Sequence, residues 1–217
     1  MKYILLFVLG ATLFSCNNQR VLLLPEVEDT EIREVLDVST AYIFYDETQP
    51  DSTLFNRKNL IGTTNWLVNV DKRLTLKQAI PHIQYLQDKR RKASMHKNES
   101  AKNYFTCNDK SIENLGFIEF TNTQFNFTNL DKLDFENSIV MNIESLSYIT
   151  FSTAFDLNIK LSKENMEHAL TLIRKNYNPV TNLTINISKN LTFQDYIYLK
   201  DILSKLDESV STEEFFF

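Results

Sequence analysis

Thr64-Asn65-Trp66-Leu67-Val68-Asn69-Val70-Asp71-Lys72-Arg73-Leu74-Thr75 returns 117 residues later as Thr181-Asn182-Leu183-Thr184-Ile185-Asn186-Ile187-Ser188-Lys189-Asn190-Leu191-Thr192. Carried on to Leu86 and Leu203, the two windows share 8 identities in 23 positions, enough to treat them as one motif used twice. The first half of each window alternates apolar and polar residues, which predicts a strand. Thr75 or Thr192 then follows as a helix N-cap, with Gln78 or Asp195 three positions on, as in a capping box. The second window continues with Tyr196, Leu199, Ile202, Leu203 and Leu206 on one helical face. In the first, Pro81 predicts a kink or a later start. A shorter relative, Leu157-Asn158-Ile159-Lys160-Leu161-Ser162, precedes a third amphipathic stretch through Met166, Ala169, Leu170 and Ile173.

Outward from these windows, Val21 to Pro25 reads as a segment that packs or adds to a sheet, and Asp29 to Leu36 as one or two helical turns. Ala41 to Tyr45 is a β-rich run that ends in a turn, with Thr53 to Asn56 as its returning partner. Short β-prone runs at 104–107, 116–120, 124–127, 139–143 and 148–157, separated by Asn, Asp and Thr, suggest an antiparallel meander. The expected fold class is α+β: a mixed or antiparallel sheet with helices on one face and two or three strand-turn-helix repeats, an all-β sandwich being the alternative. The expected division is 1–15 targeting segment, 16–20 tether, 21–100 first strand-turn-helix region, 101–156 antiparallel β-rich middle, and 157–217 second strand-turn-helix region with a C-terminal tail.

Val70-Asp71-Lys72-Arg73-Leu74-Thr75-Leu76 and Ile187-Ser188-Lys189-Asn190-Leu191-Thr192-Phe193 resemble the strand-to-helix stretch of the periplasmic domains of the ExbD/TolR biopolymer-transport family. Leu24-Pro25 and Leu54-Phe55-Asn56-Arg57-Lys58 are similar to a strand and hairpin of the same family, so the resemblance covers roughly residues 21 to 90 and 181 to 206. It implies a fold and an envelope partner. The family's transmembrane helix and membrane aspartate have no counterpart, so no proton-driven activity is implied.

The first sixteen residues address the compartment. Met1-Lys2, an apolar run from Tyr3 to Phe14 and the small Ser15 before Cys16 read as a signal peptide too short to span a bilayer permanently. Leu13-Phe14-Ser15-Cys16 resembles the lipobox of bacterial lipoproteins, which implies lipidation at Cys16 with palmitate-type acyl chains, the alternative being an ordinary secretory signal. Asn17-Asn18-Gln19-Arg20 lacks the aspartate of inner-membrane retention and the acidic run of surface export. The expectation is therefore an outer-membrane lipoprotein facing the periplasm, of Bacteroidota type.

Composition bounds the chemistry. The 217 residues carry a net charge of −5, and removing residues 1–15 takes away only Lys2, so the processed chain is one unit more negative. Such a chain has no global attraction for nucleic acid or for anionic lipid. Past residue 15 its glycines are Gly62 and Gly116, too few and too isolated for a glycine-rich phosphate loop or a nucleophile elbow. His82, His96 and His168 stand apart from each other and from cysteine, without metal-ligand spacing. No catalytic, cofactor-binding or metal residue is assigned, and Asp71 and Glu119 are ordinary acids. With Cys16 acylated, Cys107 is the remaining thiol and reads as buried and inert.

Two surfaces remain for a partner: the basic cluster Lys89-Arg90-Arg91-Lys92 with His96 and Lys97, and the terminal Phe215-Phe216-Phe217, read as a captured tail, a terminal strand or a frayed end. The functional expectation is a lipid-anchored, non-catalytic interaction or structural module of the cell envelope. Its partners are the membrane through acyl chains and an unidentified envelope protein or peptidoglycan. The alternative is a lipid-anchored hydrolase of glycan or peptide whose carboxylates converge only in the fold.

Overall fold

The chain folds as two sheets joined along a shared apolar core, and the repeated window supplies the centre of each. The computed structural model describes residues 20–92, 98–127, 138–152, 158–159, 162–176, 182–205 and 210–217. The first sheet holds β1 (Glu26–Val27), β2 (Val38–Tyr45), β3 (Thr53–Asn56), β4 (Asn65–Val70), β5 (Asn103–Asp109) and β6 (Asn114–Glu119). Its order is β1-β5-β4-β2-β3, with β6 on the other side of β5. The second holds β7 (Gln124–Asn126), β8 (Ser138–Ser145), β9 (Tyr148–Ser152), β10 (Asn158–Ile159), β11 (Asn182–Ile187) and β12 (Val210–Phe216), in the order β10-β9-β8-β11-β12-β7. Three helices, α1 (Leu76–Arg91), α2 (Lys163–Asn176) and α3 (Phe193–Ser204), complete the described elements. This is the α+β class, with mixed sheets.

Each sheet contains the same core path. β2 turns back antiparallel into β3, β4 pairs in parallel with β2, α1 crosses over, and β5 pairs in parallel with β4. In the second sheet β8 turns back into β9, β11 pairs with β8, α3 crosses over, and β12 pairs with β11. Registers match as well: Asn65 sits opposite Val38, and Asn182 opposite Ser138. A helix is the connection that parallel neighbours require, so the predicted strand-turn-helix is the crossover of each unit. The third repeat appears as the two residues of β10 and then α2, where Ser162 Oγ accepts the Asn165 N–H at 3.2 Å.

Where the two units meet, equivalent residues bond to each other. Leu76 N donates to Leu191 O (2.9 Å) and Phe193 N to Leu74 O (2.7 Å); Lys77 N donates to Lys189 O and Gln194 N to Lys72 O. The two caps themselves, Thr75 and Thr192, form an antiparallel bridge. Every one of these bonds maps onto its counterpart under the offset of 117, so the seam has local two-fold symmetry. Phe105 of β5 packs beneath it, stacked on Phe120 (3.8 Å between centroids) and met edge-on by Phe193 (5.2 Å) and Tyr196 (6.1 Å) of α3. One buried cluster accordingly runs through both sheets and all three helices. The far face of the first sheet buries Leu67, Tyr104 and Phe117 under Ile32 and Val35.

Several expectations change. Asp29 to Leu36 is not helical: the buried carboxylate of Asp109 takes the N–H groups of Asp29 (3.2 Å) and Thr30 (2.7 Å), and Ile32 bridges to Phe117. Residues 101–156 are not a self-contained meander. β5 and β6 belong to the first sheet and β7 to β9 to the second, with β5, β7 and β8 each finding a parallel partner in a distant segment. The units therefore divide between β6 and β7, rather than at residues 100 and 156. α1 starts at Leu76, with Pro81 exposed inside it.

Candidate functional site at the end of helix α1

α1 buries Leu76, Ala79, Ile80, Ile83, Leu86, Gln87 and Arg90 on one face, so the basic cluster is split by helical geometry. Lys89, Arg91 and Lys92 are exposed, while Arg90 faces inward with 8% of its surface accessible. Its guanidinium lies 4.0 Å above the Trp66 ring, a cation-π contact, and its Nη2 donates to Thr64 O at 2.9 Å. Burial lowers its pKa to about 10, so it stays charged at neutral pH. Among the described residues its Nε and Nη1 have no partner, and neither does the buried Oδ1 of Asn103 on β5.

Arg90 and Asn103 line the same cavity of about 290 Å³, together with Gln87, Arg91, Asn98 and Thr123. Gln87 fixes the wall by donating to Phe120 O (3.2 Å) and Thr123 O (2.8 Å). Buried donors and acceptors are almost always satisfied, so the coincidence of unpaired cationic donors and an unpaired amide oxygen at one polar cavity marks it as the candidate site. With Arg90 and Arg91 at its lining, it suits a polar, anionic group. Glu99 is the one carboxylate among its described lining residues, whereas glycoside hydrolysis by general acid and base needs two facing each other.

The buried acids are instead structural. Asp71, with no accessible surface, accepts from Leu23 N (3.2 Å), Arg73 N (3.1 Å) and the Arg73 guanidinium (2.9 and 2.7 Å). Burial works to raise its pKa, and the Arg73 bonds outweigh it, leaving the carboxyl below its usual value. Asp109 is likewise pushed up by burial and pulled further down, to well below the carboxylate range, by bonds from Thr30 and Ser111. Glu214 receives the Tyr196 hydroxyl (2.7 Å) and the Lys200 ammonium (2.6 Å). Glu119 is paired with Lys102 at 2.7 Å.

The other singled-out residues divide as follows. Phe215 and Phe216 end β12 and are buried, with Phe216 against Phe125 and Phe127, so the tail is a core strand and Phe217 alone is half-exposed. Cys107 is buried, and burial raises its thiol pKa far above the ordinary value. His82 is half-buried beside Thr53 (3.3 Å) and Phe55, and burial lowers its pKa. His168 is exposed on α2. Cys16, His96 and Lys97 lie outside the described residues. Sequence reasoning missed the inward turn of Arg90 and the role of Asn103, although position 90 follows Leu86 by four and Ile83 by seven, the spacing of the buried face.

Among the described residues no helix is long and apolar enough to cross a membrane, and no group of three or more His, Cys, Asp or Glu is placed to hold a metal ion. Compared with family models, curated proteins and solved structures, the chain matches none.

Proposed function

We propose that the protein is a lipid-anchored module of the cell envelope that acts by binding, on the periplasmic side of an outer membrane, with acyl chains on Cys16 as its tether. The observation that carries the binding half of this reading is the cavity lined by Arg90, Arg91, Gln87 and Asn103, where buried polar atoms of Arg90 and Asn103 find no partner among the described residues and Glu99 is the one carboxylate of the described lining. Its occupant is a polar, anionic group of an envelope protein or of peptidoglycan. The ExbD/TolR-like character is proposed with it, supported by the strand-turn-helix formed by both matched windows and by the return strand at Thr53–Asn56.

Crosslinking in intact cells followed by mass spectrometry tests the binding reading. Specific envelope components are expected to be recovered, and Asn103→Leu is expected to lose them with abundance unchanged. The hydrolase alternative predicts the opposite: no partner, and a phenotype abolished by single Asp→Asn or Glu→Gln changes. The anchor is tested separately. Cys16→Ser is expected to move the protein into the soluble fraction and stop labelling by a palmitate analogue; unchanged fractionation would remove the tether from the reading.

A further inference from the structure

On the other side of α1 from the cavity lies a surface groove of about 500 Å³, walled by Arg20, Arg57, Lys58 and Lys89 and floored in part by Leu54 and Phe55. Among the described residues no acidic one lines it, in a chain whose net charge is −5. These cations come from three separate segments, the start of the described chain, the end of β3 and the last turn of α1, so the fold assembles them. The Arg57 guanidinium is held over Tyr85 at 4.2 Å and donates to the Tyr85 hydroxyl, and that ring is 42% exposed. The ammonium groups of Lys58 and Lys89 have no partner among the described residues. The nearby acids are already engaged: Asp46 is 3.7 Å from Arg20, and Asp88 is paired with Arg91 at 4.0 Å.

Position gives the groove its occupant. Only three residues separate Arg20 from Cys16. At no more than about 3.6 Å per residue, an acyl chain on Cys16 holds Arg20 within about 15 Å of the bilayer.

We propose that this groove seats the module on the membrane: Arg20, Arg57, Lys58 and Lys89 engage the phosphates of anionic lipid headgroups, with Leu54, Phe55 and the Tyr85 ring at the interface. This rests on the anchor reading for its geometry, and it fixes which side of the module faces the bilayer. Attraction of this kind falls off within a Debye length, about 8 Å at physiological salt, so acids of the chain beyond that distance do not cancel it, while Asp46 beside Arg20 leaves Arg57, Lys58 and Lys89 as the main contributors.

The test uses the mature chain, residues 16–217, carrying Cys16→Ser so that no acyl chain contributes. Co-sedimentation is measured with vesicles of phosphatidylcholine alone and with an equal admixture of phosphatidylglycerol. Binding is expected to the anionic vesicles only, to weaken about fivefold for Lys58→Gln or Lys89→Gln, and to weaken about 25-fold for both together, one elementary charge near such a surface being worth about that factor. Lys102→Gln, an exposed lysine just before β5 and outside the groove, is the control and is expected to leave binding unchanged. Both groove lysines are exposed and make no tertiary bond, so circular dichroism is expected to match the parent chain. Equal binding to neutral vesicles, no loss in the double variant, or an equal loss from Lys102→Gln overturns the proposal. Displacement by millimolar inorganic phosphate also overturns it, by assigning the groove to a free anion. Palmitate labelling of the acylated protein fails or succeeds independently, so loss of the anchor and loss of the groove are separate results.

Discussion

The two units build one turn with different chemistry. In the first, Lys72 N donates to Leu23 O at 2.8 Å; in the second, Lys189 N donates to Phe217 O at 3.0 Å, so opposite ends of the chain fill the same place. The first unit has to hold a separate N-terminal segment there, and it does so with a buried charge: Asp71 binds both Leu23 N and Arg73. The second needs no such clamp, because Phe217 arrives as the continuation of β12, and the Ser188 hydroxyl accepts a long bond from Asn190 N at 3.4 Å. Matching backbone paths thus arise from a shared cap and register, while the side chains follow what must be gripped.

The largest break in this comparison is Asp71→Ala, which strips partners from a guanidinium and two backbone N–H groups. A loss of about 3–5 kcal/mol in urea unfolding is expected, against less than about 1 kcal/mol for Ser188→Ala. Equal losses would mean that the clamp is incidental. The double change Asp71→Ser with Arg73→Asn, which copies the second turn, is expected to recover part of the loss by removing the unpaired charge.

Acid should separate the units next. Asp71 and Asp109 both have folded pKa values below their unfolded value of about 3.9. Their contribution is therefore fully present above that value and is lost as pH falls below it. Hydrogen exchange between about pH 5 and pH 2 is expected to show protection falling at the ends of β4 and β5 before β11; simultaneous loss would contradict the assignment.

Gly116 gives a smaller effect confined to the first unit. A Cβ there would stand well inside contact distance of Thr30, whose hydroxyl donates to Asp109 at 2.6 Å. Gly116→Ala is expected to cost about 1–3 kcal/mol, readable as a lowered denaturation midpoint.

The caps offer the finest discrimination. In both caps the side chain three positions on, Gln78 or Asp195, accepts from the threonine N and Oγ1, and Thr192 Oγ1 in addition accepts from Asp195 N at 3.1 Å. Thr192→Ala is expected to cost about 1 kcal/mol and Thr75→Ala less, by urea unfolding.

The repeat was legible because a capped helix start constrains residue types: Thr75 and Thr192 cannot be replaced freely, and Leu74 and Leu191 close the same turn. The matching hairpins were not, since strands pair through backbone and accept many side chains, and β10 and α2 stand between β9 and β11 with no counterpart between β3 and β4, so β8 follows β2 by 100 residues while the windows differ by 117. A single sliding offset misses that. Asp29 to Leu36 has helix-compatible residues, yet the pull of Asp109 from 80 positions away decides its path. The cavity was hidden for the same reason: Arg90 and Asn103 line it from two different elements, and a run of four basic residues does not say which one turns inward.

The reciprocal bonds between Leu74, Leu76, Leu191 and Phe193 carry a consequence for mass action. Two free copies of one unit, meeting through such a seam, would separate as they were diluted below their dissociation constant. Here one polypeptide carries both faces, at an effective concentration on the order of millimolar whatever the cellular abundance. The assembly is therefore expected to hold at a few copies per cell, and neither face has to remain self-complementary with a second copy. That freedom is what lets one unit keep an aspartate clamp and a buried arginine while the other does without them.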